Sequence, residues 1–193
     1  MTSKADVPIV EFKSEKDWQR WLAANHSAST GVWLRLFRKD SARPSVTHEQ
    51  ALMAALCFGW IDGQLKKHDE ESWLRKFTPR RPNSVWSKRN CELVERLTDG
   101  GKMRKAGKEA VAAAKADGRW QRAYDSPKDM AVPADFLKQL SRNKKALAHF
   151  KTLNKANTYA IAWRLQTAKK EETRAKRLRE IIEMLAKGRS FHE

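Results

Sequence analysis

The spacing of apolar residues changes character once along this chain, after Phe77, and that change restricts the folds open to it. Upstream, Val32-Trp33-Leu34-Arg35-Leu36-Phe37 alternates with period two. Val32, Leu34 and Leu36 share one face and Trp33, Arg35 and Phe37 the other, a strand with both faces largely covered. Residues 61–67 and 72–77 read as a hairpin across the acidic turn His68-Asp69-Glu70-Glu71. Two helices interleave with these strands. Ser14 is placed to cap the first, with Asp17 near its positive end and Trp18, Trp21 and Leu22 on one face. Thr47 and Gln50 form a capping-box pattern for the second, which Gly59 stops.

Downstream of Phe77 every pattern is helical. One helix is expected to open at Ser84 with Trp86, Asn90, Leu93, Val94 and Leu97 on one face, closing at Asp99-Gly100-Gly101. An Ala-rich helix follows over 102–116, ended by Asp117-Gly118. Pro133 starts a short one through Leu140, and others are marked by Ala146, Leu147, Phe150 and Leu153 and by Tyr159, Ala162 and Trp163. The last carries Leu178, Ile181, Ile182 and Leu185 on one stripe with Gly188 as terminator. The fold class is therefore α+β: a small mixed helix and strand part over 1–78, then an all-helical basic part over 79–193, packed as one body in one continuous domain.

A chain of 193 residues with 40% hydrophobic content and eight Trp can bury a sizeable core. Its N-terminus has no apolar stretch behind a basic start, and no run approaches the ~18 uninterrupted apolar residues of a membrane span. A cytoplasmic protein without a transmembrane segment is expected. Cys57 and Cys91 lie among apolar neighbours without CxxC spacing or adjacent histidines, which marks them as reduced core thiols.

The formal charge is +17, and its distribution is uneven. Residues 1–78 carry 12 Lys and Arg against 10 Asp and Glu, whereas residues 79–193 carry 28 against 13. Such a field attracts nucleic acid, anionic lipid headgroups or acidic proteins.

No GxxxxGK[ST], GxGxxG, GxSxG or HExxH string occurs, which removes whole enzyme classes, and the five scattered histidines suggest no metal site. No cofactor is implied. The segment that stands out runs from Phe77 to Asn90. Pro79 and Pro82 hold Arg80 and Arg81 in an extended loop that leads to a Ser84-capped helix start, with Ser87, Lys88, Arg89 and Asn90 in or near its first turn. Cations there oppose the helix dipole by ~0.3 to 1 kcal/mol each, so a ligand anion or a protein carboxylate such as Asp62 is needed to compensate. Beside it, Gly59-Trp60-Ile61-Asp62-Gly63-Gln64 presents Asp62 on an aromatic rim that includes Trp60. This carboxylate is a general base or, more in keeping with its neighbours, a partner for Arg80 or Arg81. A secondary basic face comprises Arg119 and Arg122 around Trp120, with Arg174 and Arg177 in the last helix. It is either solvated surface or a polyanion contact.

The strings Phe58-Gly59-Trp60-Ile61-Asp62-Gly63, Phe77-Thr78-Pro79-Arg80-Arg81-Pro82 and Trp86-Ser87-Lys88-Arg89-Asn90 together resemble the bacterial YdeI or OmpD-associated family, also called bacteriocin-protection proteins. Ala106-Gly107, Gly118-Arg119-Trp120, Ala123-Tyr124-Asp125 and Glu172-Thr173-Arg174 extend the resemblance over about Phe12 to Gly188. It implies a bacterial, cytoplasmic, α+β protein with a helical C-terminal part and an association with tolerance to antimicrobial peptides or with a porin. It implies no reaction.

The leading expectation is thus a non-catalytic binding protein that engages a polyanion, nucleic acid first, in stress or antimicrobial tolerance. One alternative is a pocket protein or enzyme for a small phosphate- or carboxylate-bearing ligand. Another is an adaptor for an acidic protein or an anionic membrane surface.

Overall fold

Local signals account for most of the elements. The computed structural model describes residues 7–126 and 128–192. After a two-residue strand β1, Ile9–Val10, the Ser14 hydroxyl accepts the Asp17 N–H at 3.2 Å and starts helix α1, Glu15–Asn25. Strand β2 is Val32–Phe37 with the expected alternation of buried and half-buried residues. Helix α2, His48–Cys57, opens on a complete capping box between Thr47 and Gln50. The hairpin is β3, Trp60–Lys67, and β4, Ser72–Pro79.

These strands form one sheet in the order β1-β2-β4-β3, with β1 parallel to β2 and the other pairs antiparallel. Val32, Leu34, Leu36 and Phe77 are buried on one face of it, and Leu74, opposite Arg35 in the register, is buried on the other. Trp18 of α1 meets Phe77 edge-on at 5.5 Å and donates its indole N–H to the Ala51 carbonyl of α2 at 3.0 Å, so one ring ties both helices to the sheet. On the opposite face Trp33 and Phe37 are half-buried under cationic side chains: Lys76 over Trp33, Arg35 and Arg43 over Phe37.

The turn of the hairpin is held by Asp69, which accepts from the Ser72 hydroxyl at 2.6 Å, the Glu71 N–H at 3.0 Å and Arg35 at 2.7 Å. The Ser72 bond foremost, with the Glu71 amide and the Arg35 charge, brings its pKa down to about 2. Because the folded value lies below the unfolded one of about 3.9, the stabilisation is full above that pH and is lost as pH falls toward 2. Asp69→Asn is therefore expected to lower the melting temperature near neutrality and to narrow its gap to the parent progressively on acidification. A gap that stays constant with pH would show that Asp69 is not ionised in this role.

The remaining elements are helices: α3, Lys88–Asp99; α4, Lys105–Ala116; α5, Ala134–Leu140; α6, Lys144–Phe150; α7, Lys155–Gln166; and α8, Glu171–Ala186. The expected opening at Ser84 is corrected. Residues 84–87 are not helical, and α3 begins at Lys88, because Ser87 pairs in a parallel bridge with Tyr124. Tyr124 N–H donates to the Trp86 carbonyl and Lys88 N–H donates to the Tyr124 carbonyl, both at 2.9 Å. This bridge uses the backbone groups that a further helical turn needs.

By contact the chain forms two compact units. The first comprises the described residues through Ser84 together with Asn90–Gln121; the second comprises Val85–Arg89 together with those from Arg122. Over the corresponding stretches of sequence the first carries 21 basic against 15 acidic residues and the second 19 against 8, so the charge excess is concentrated in the second. The core of the second unit is Phe136, Leu140, Ala146, Ile161, Leu165, Leu178, Ile181 and Leu185. Among the described residues no helix is long and apolar enough to cross a membrane.

A basic cleft as the candidate functional site

The residues singled out around the arginine loop are divided between the two units. Trp60 is buried, with its indole N–H on the His26 carbonyl at 3.0 Å. Arg80 is half-buried, and its N–H donates to the Gly59 carbonyl at 2.9 Å; Arg81 is exposed. Ser84 gives its carbonyl to Arg119 at 3.1 Å. Asp62 faces neither arginine of the loop. It accepts from His48 at 2.9 Å and lies 3.7 Å from the Arg75 guanidinium. Burial raises its pKa, but the His48 hydrogen bond and the Arg75 charge outweigh burial and hold it below the usual value. The histidine partner sits at the first position of α2, too far along the chain for sequence reasoning to pair with Asp62.

Ser87, Lys88 and Arg89 belong to the second unit, where Lys88 is neutralised by Asp125 at 2.5 Å and Arg89 is exposed. Gln166 also donates to Asp125, and the two bonds lower its pKa. The compensating anion for Lys88 is thus a protein carboxylate, Asp125 rather than Asp62. Asn90 is buried at the start of α3. Of the secondary basic face, Arg119 is buried and bonded to Asp117 at 2.6 Å, Arg174 forms a two-pronged pair with Asp135, and Arg177 donates to the Arg164 carbonyl at 2.7 Å. Arg122 is exposed.

Cations do converge elsewhere, in the first unit. A cleft of about 700 Å³ opens between α1, the end of α2 and the start of α4. Lys16, Arg20, Lys102, Arg104 and Lys105 line it, against the single carboxylate of Glu15. Glu15 accepts from Gln19 at 2.7 Å, and Arg20 pairs with Asp17 at 3.1 Å. Lys16, Lys102, Arg104 and Lys105 form no ion pair among the described residues. Ala23, Met53, Ala54, Phe58 and Leu97 supply apolar walls. A shallower depression beside it shares His26, Phe58, Lys105 and Ala106 and adds Trp60 and Arg80.

The backbone of α4 reinforces this field. Arg104 occupies the capping position without a side-chain cap, and Lys105 follows in the first turn with no acidic residue there. The positive end of a twelve-residue helix therefore opens with cations on it. The signal was legible as an arginine where Ser, Thr, Asp or Asn is usual. Two glycines bring α4 to its place. Gly59 follows α2 at φ +73, a left-handed conformation costly to other residues, and a Cβ there would meet the Ala106 carbonyl oxygen at 2.9 Å. A Cβ on Gly107 would collide with the Cys57 carbonyl oxygen. The Arg104 N–H donates to that carbonyl at 3.0 Å, joining the end of α2 to the start of α4.

The Cys57 thiol lines the cleft, and burial pushes its pKa up despite the charges of Arg104 and Lys102, so it is a poor nucleophile. Burial likewise pushes Cys91 to about 11. Both cysteines are free and buried. Among the described residues no three His, Cys, Asp or Glu side chains are placed to hold a metal ion.

Residues 10–110, just over half of the chain, match the family described as Domain of unknown function (DUF8412). The chain belongs to that family. Residues 129–188 match the family described as Bacteriocin-protection, YdeI or OmpD-Associated. Every residue lining the cleft, from Glu15 to Ala106, lies in the DUF8412 segment, whereas α5 to α8 form the YdeI or OmpD-associated one. Most of the strings that carry the resemblance, Phe58-Gly59 through Ala106-Gly107, fall in the DUF8412 segment, and Glu172-Thr173-Arg174 falls in the other. No curated protein and no solved structure matches the chain.

Proposed function

We propose that this protein binds a small phosphate-bearing ligand in the cleft of its DUF8412 segment, as a binding protein rather than a catalyst. The observation that carries this reading is the convergence, on one cavity with apolar walls, of an uncapped helix start and four cations that form no ion pair among the described residues. Like charges gathered around a single lining carboxylate repel one another, and an anion relieves that repulsion while the helix N–H groups meet its oxygens. The volume lies within the range of about 300 to 1,000 Å³ usual for small-molecule sites. The apolar walls suit a ligand with a flat or aliphatic body. The lining offers a thiol of raised pKa and His26, whose ring is bonded to the Leu22 carbonyl at 2.9 Å, and neither is an activated nucleophile. We place this activity in the bacterial cytoplasm, in tolerance to antimicrobial peptides, on the strength of the YdeI or OmpD-associated description.

Calorimetric titration of nucleoside phosphates and sugar phosphates at low salt tests the assignment. At least one should bind, and Arg104→Glu with Lys105→Glu should weaken it by about 100-fold or more, since each lost charged contact contributes ~1.5 to 3 kcal/mol. Lys144→Glu with Lys145→Glu, in the second unit, should leave it unchanged. Equal loss in both double variants would point to a diffuse charge effect and end the cleft assignment.

A second reading, nucleic-acid binding, is favoured by the excess of 19 basic over 8 acidic residues in the second unit. It predicts affinity for duplex DNA that falls with salt at a log–log slope of about −0.9 per neutralised phosphate, and loss in the Lys144/Lys145 variant. An acidic protein or an anionic membrane surface would draw on the same charge.

A further inference from the structure

The second unit holds a different kind of cavity. About 350 Å³ in volume, it is lined by Trp163 and Arg164 of α7, Arg177, Glu180, Ile181 and Met184 of α8, and Phe191 of the tail. Asn157 holds the tail in place. Its side-chain carbonyl accepts the N–H groups of Phe191 and His192, both at 3.0 Å, and its amide donates to the His192 carbonyl at 3.1 Å. That clamp sets the Phe191 ring 3.7 Å from the Arg164 guanidinium.

Arg164 and Arg177 lie close together there. Arg177 donates to the Arg164 backbone carbonyl at 2.7 Å, and Arg164 donates to the Ala160 carbonyl at 3.2 Å. Burial first, and the Arg177 charge second, press Arg164 below its ordinary pKa. Neither guanidinium forms an ion pair among the described residues, and the rim carboxylate of Glu180 faces Lys176 at 3.8 Å. Each arginine uses one hydrogen bond on a backbone carbonyl and keeps further N–H donors. Two cationic forks therefore stand against Trp163, Ile181, Met184 and Phe191 with no ion-pair partner among the described residues.

We propose that this cavity binds a small organic acid, a single carboxylate on a flat aromatic or short acyl body. A carboxylate matches the planar fork of arginine in a two-pronged contact, whereas the apolar walls disfavour a bare multivalent phosphate. The volume, near the lower limit of small-molecule sites at about 300 Å³, restricts the body to one ring system or a short chain. This site is independent of the cleft in the first unit.

The test uses the full chain and four probes: indole-3-acetate, octanoate, neutral indole and inorganic phosphate, each titrated by saturation-transfer NMR and calorimetry. The two carboxylates are expected to bind at least tenfold more tightly than indole or phosphate. Arg177→Gln should weaken them tenfold or more. Arg177→Lys, which keeps the charge and loses the fork, should weaken them by an intermediate factor, and a melting curve for each variant verifies folding. The double variant Arg104→Glu with Lys105→Glu should bind them as the parent does. Absence of carboxylate binding, indole binding as tightly as indole-3-acetate, or full affinity retained in both Arg177 variants overturns the proposal. Loss in the Arg104/Lys105 variant alone would move the carboxylate to the cleft and overturn it too.

Discussion

Gly107→Ala is expected to lower the melting temperature of this protein by about 6 to 12 °C, even though alanine is the better helix former. In an exposed helix interior the exchange stabilises by up to ~1 kcal/mol. Here the added Cβ would collide with the Cys57 carbonyl oxygen and lie 2.8 Å from that of Leu56. Both obstacles are backbone, so no rotamer change removes the clash, and α2 and α4 must separate. Overpacking of this kind costs ~1 to 3 kcal/mol. The rigid obstacle puts Gly107 near the upper end, and each kcal/mol shifts the midpoint of a chain this size by about 2 to 4 °C. The separation also breaks the bond from Arg104 N–H to Cys57 and displaces two of the cations that line the cleft. Ligand affinity should therefore fall with stability. Gly101→Ala is the control, since no atom lies within 4 Å of a Cβ there and only its left-handed φ of +66 is penalised, at ~1 to 2 kcal/mol. Scanning calorimetry of the two variants decides the matter: a Gly107→Ala protein as stable as the parent would mean that α2 and α4 do not approach this closely.

Trp18→Ala should have the larger effect on folding, a loss of ~3 to 5 kcal/mol. The side chain has no exposed area. It stacks on Trp21 with centroids 5.3 Å apart and meets Phe12 at 5.4 Å and Phe77 at 5.5 Å. Truncation leaves a cavity where α1, α2 and the sheet join, and a chain with only ~5 to 15 kcal/mol in total cannot absorb much of that. Denaturant unfolding followed by far-ultraviolet circular dichroism should show a markedly lower midpoint. Trp18→Phe keeps most of the ring contacts and loses the bond to Ala51, at ~1 to 2 kcal/mol beyond the small volume change. If both variants unfold at the parent midpoint, Trp18 is not the joint between the helices and the sheet.

Elements whose causes lie within a few residues were legible beforehand. The Thr47 and Gln50 box, the Ser14 cap, the alternation of β2 and the acidic turn of the hairpin each depend on neighbours less than one or two turns away. The start of α3 was misplaced because Trp86 and Ser87 carry a helix-compatible pattern but pair with Tyr124, a residue well down the chain. Strand β1 went unseen because two residues carry no period. Asp62 was recognised as a carboxylate in need of a partner, and only the folded sheet and helix bring His48 and Arg75 to it.

The same division runs through the candidate sites. Sequence alone determined the α+β class, the basic helical half and the absence of familiar catalytic strings. Periodicity, capping and composition act over short stretches of chain, and those carry this information. Which cations matter was decided by the tertiary structure. It paired Lys88 with Asp125, Arg119 with Asp117 and Arg174 with Asp135, and it left Lys16, Lys102, Arg104 and Lys105 together without an ion-pair partner among the described residues. Charge is a property of residues, but an unneutralised charge is a property of distances, and those distances exist only once the chain has folded.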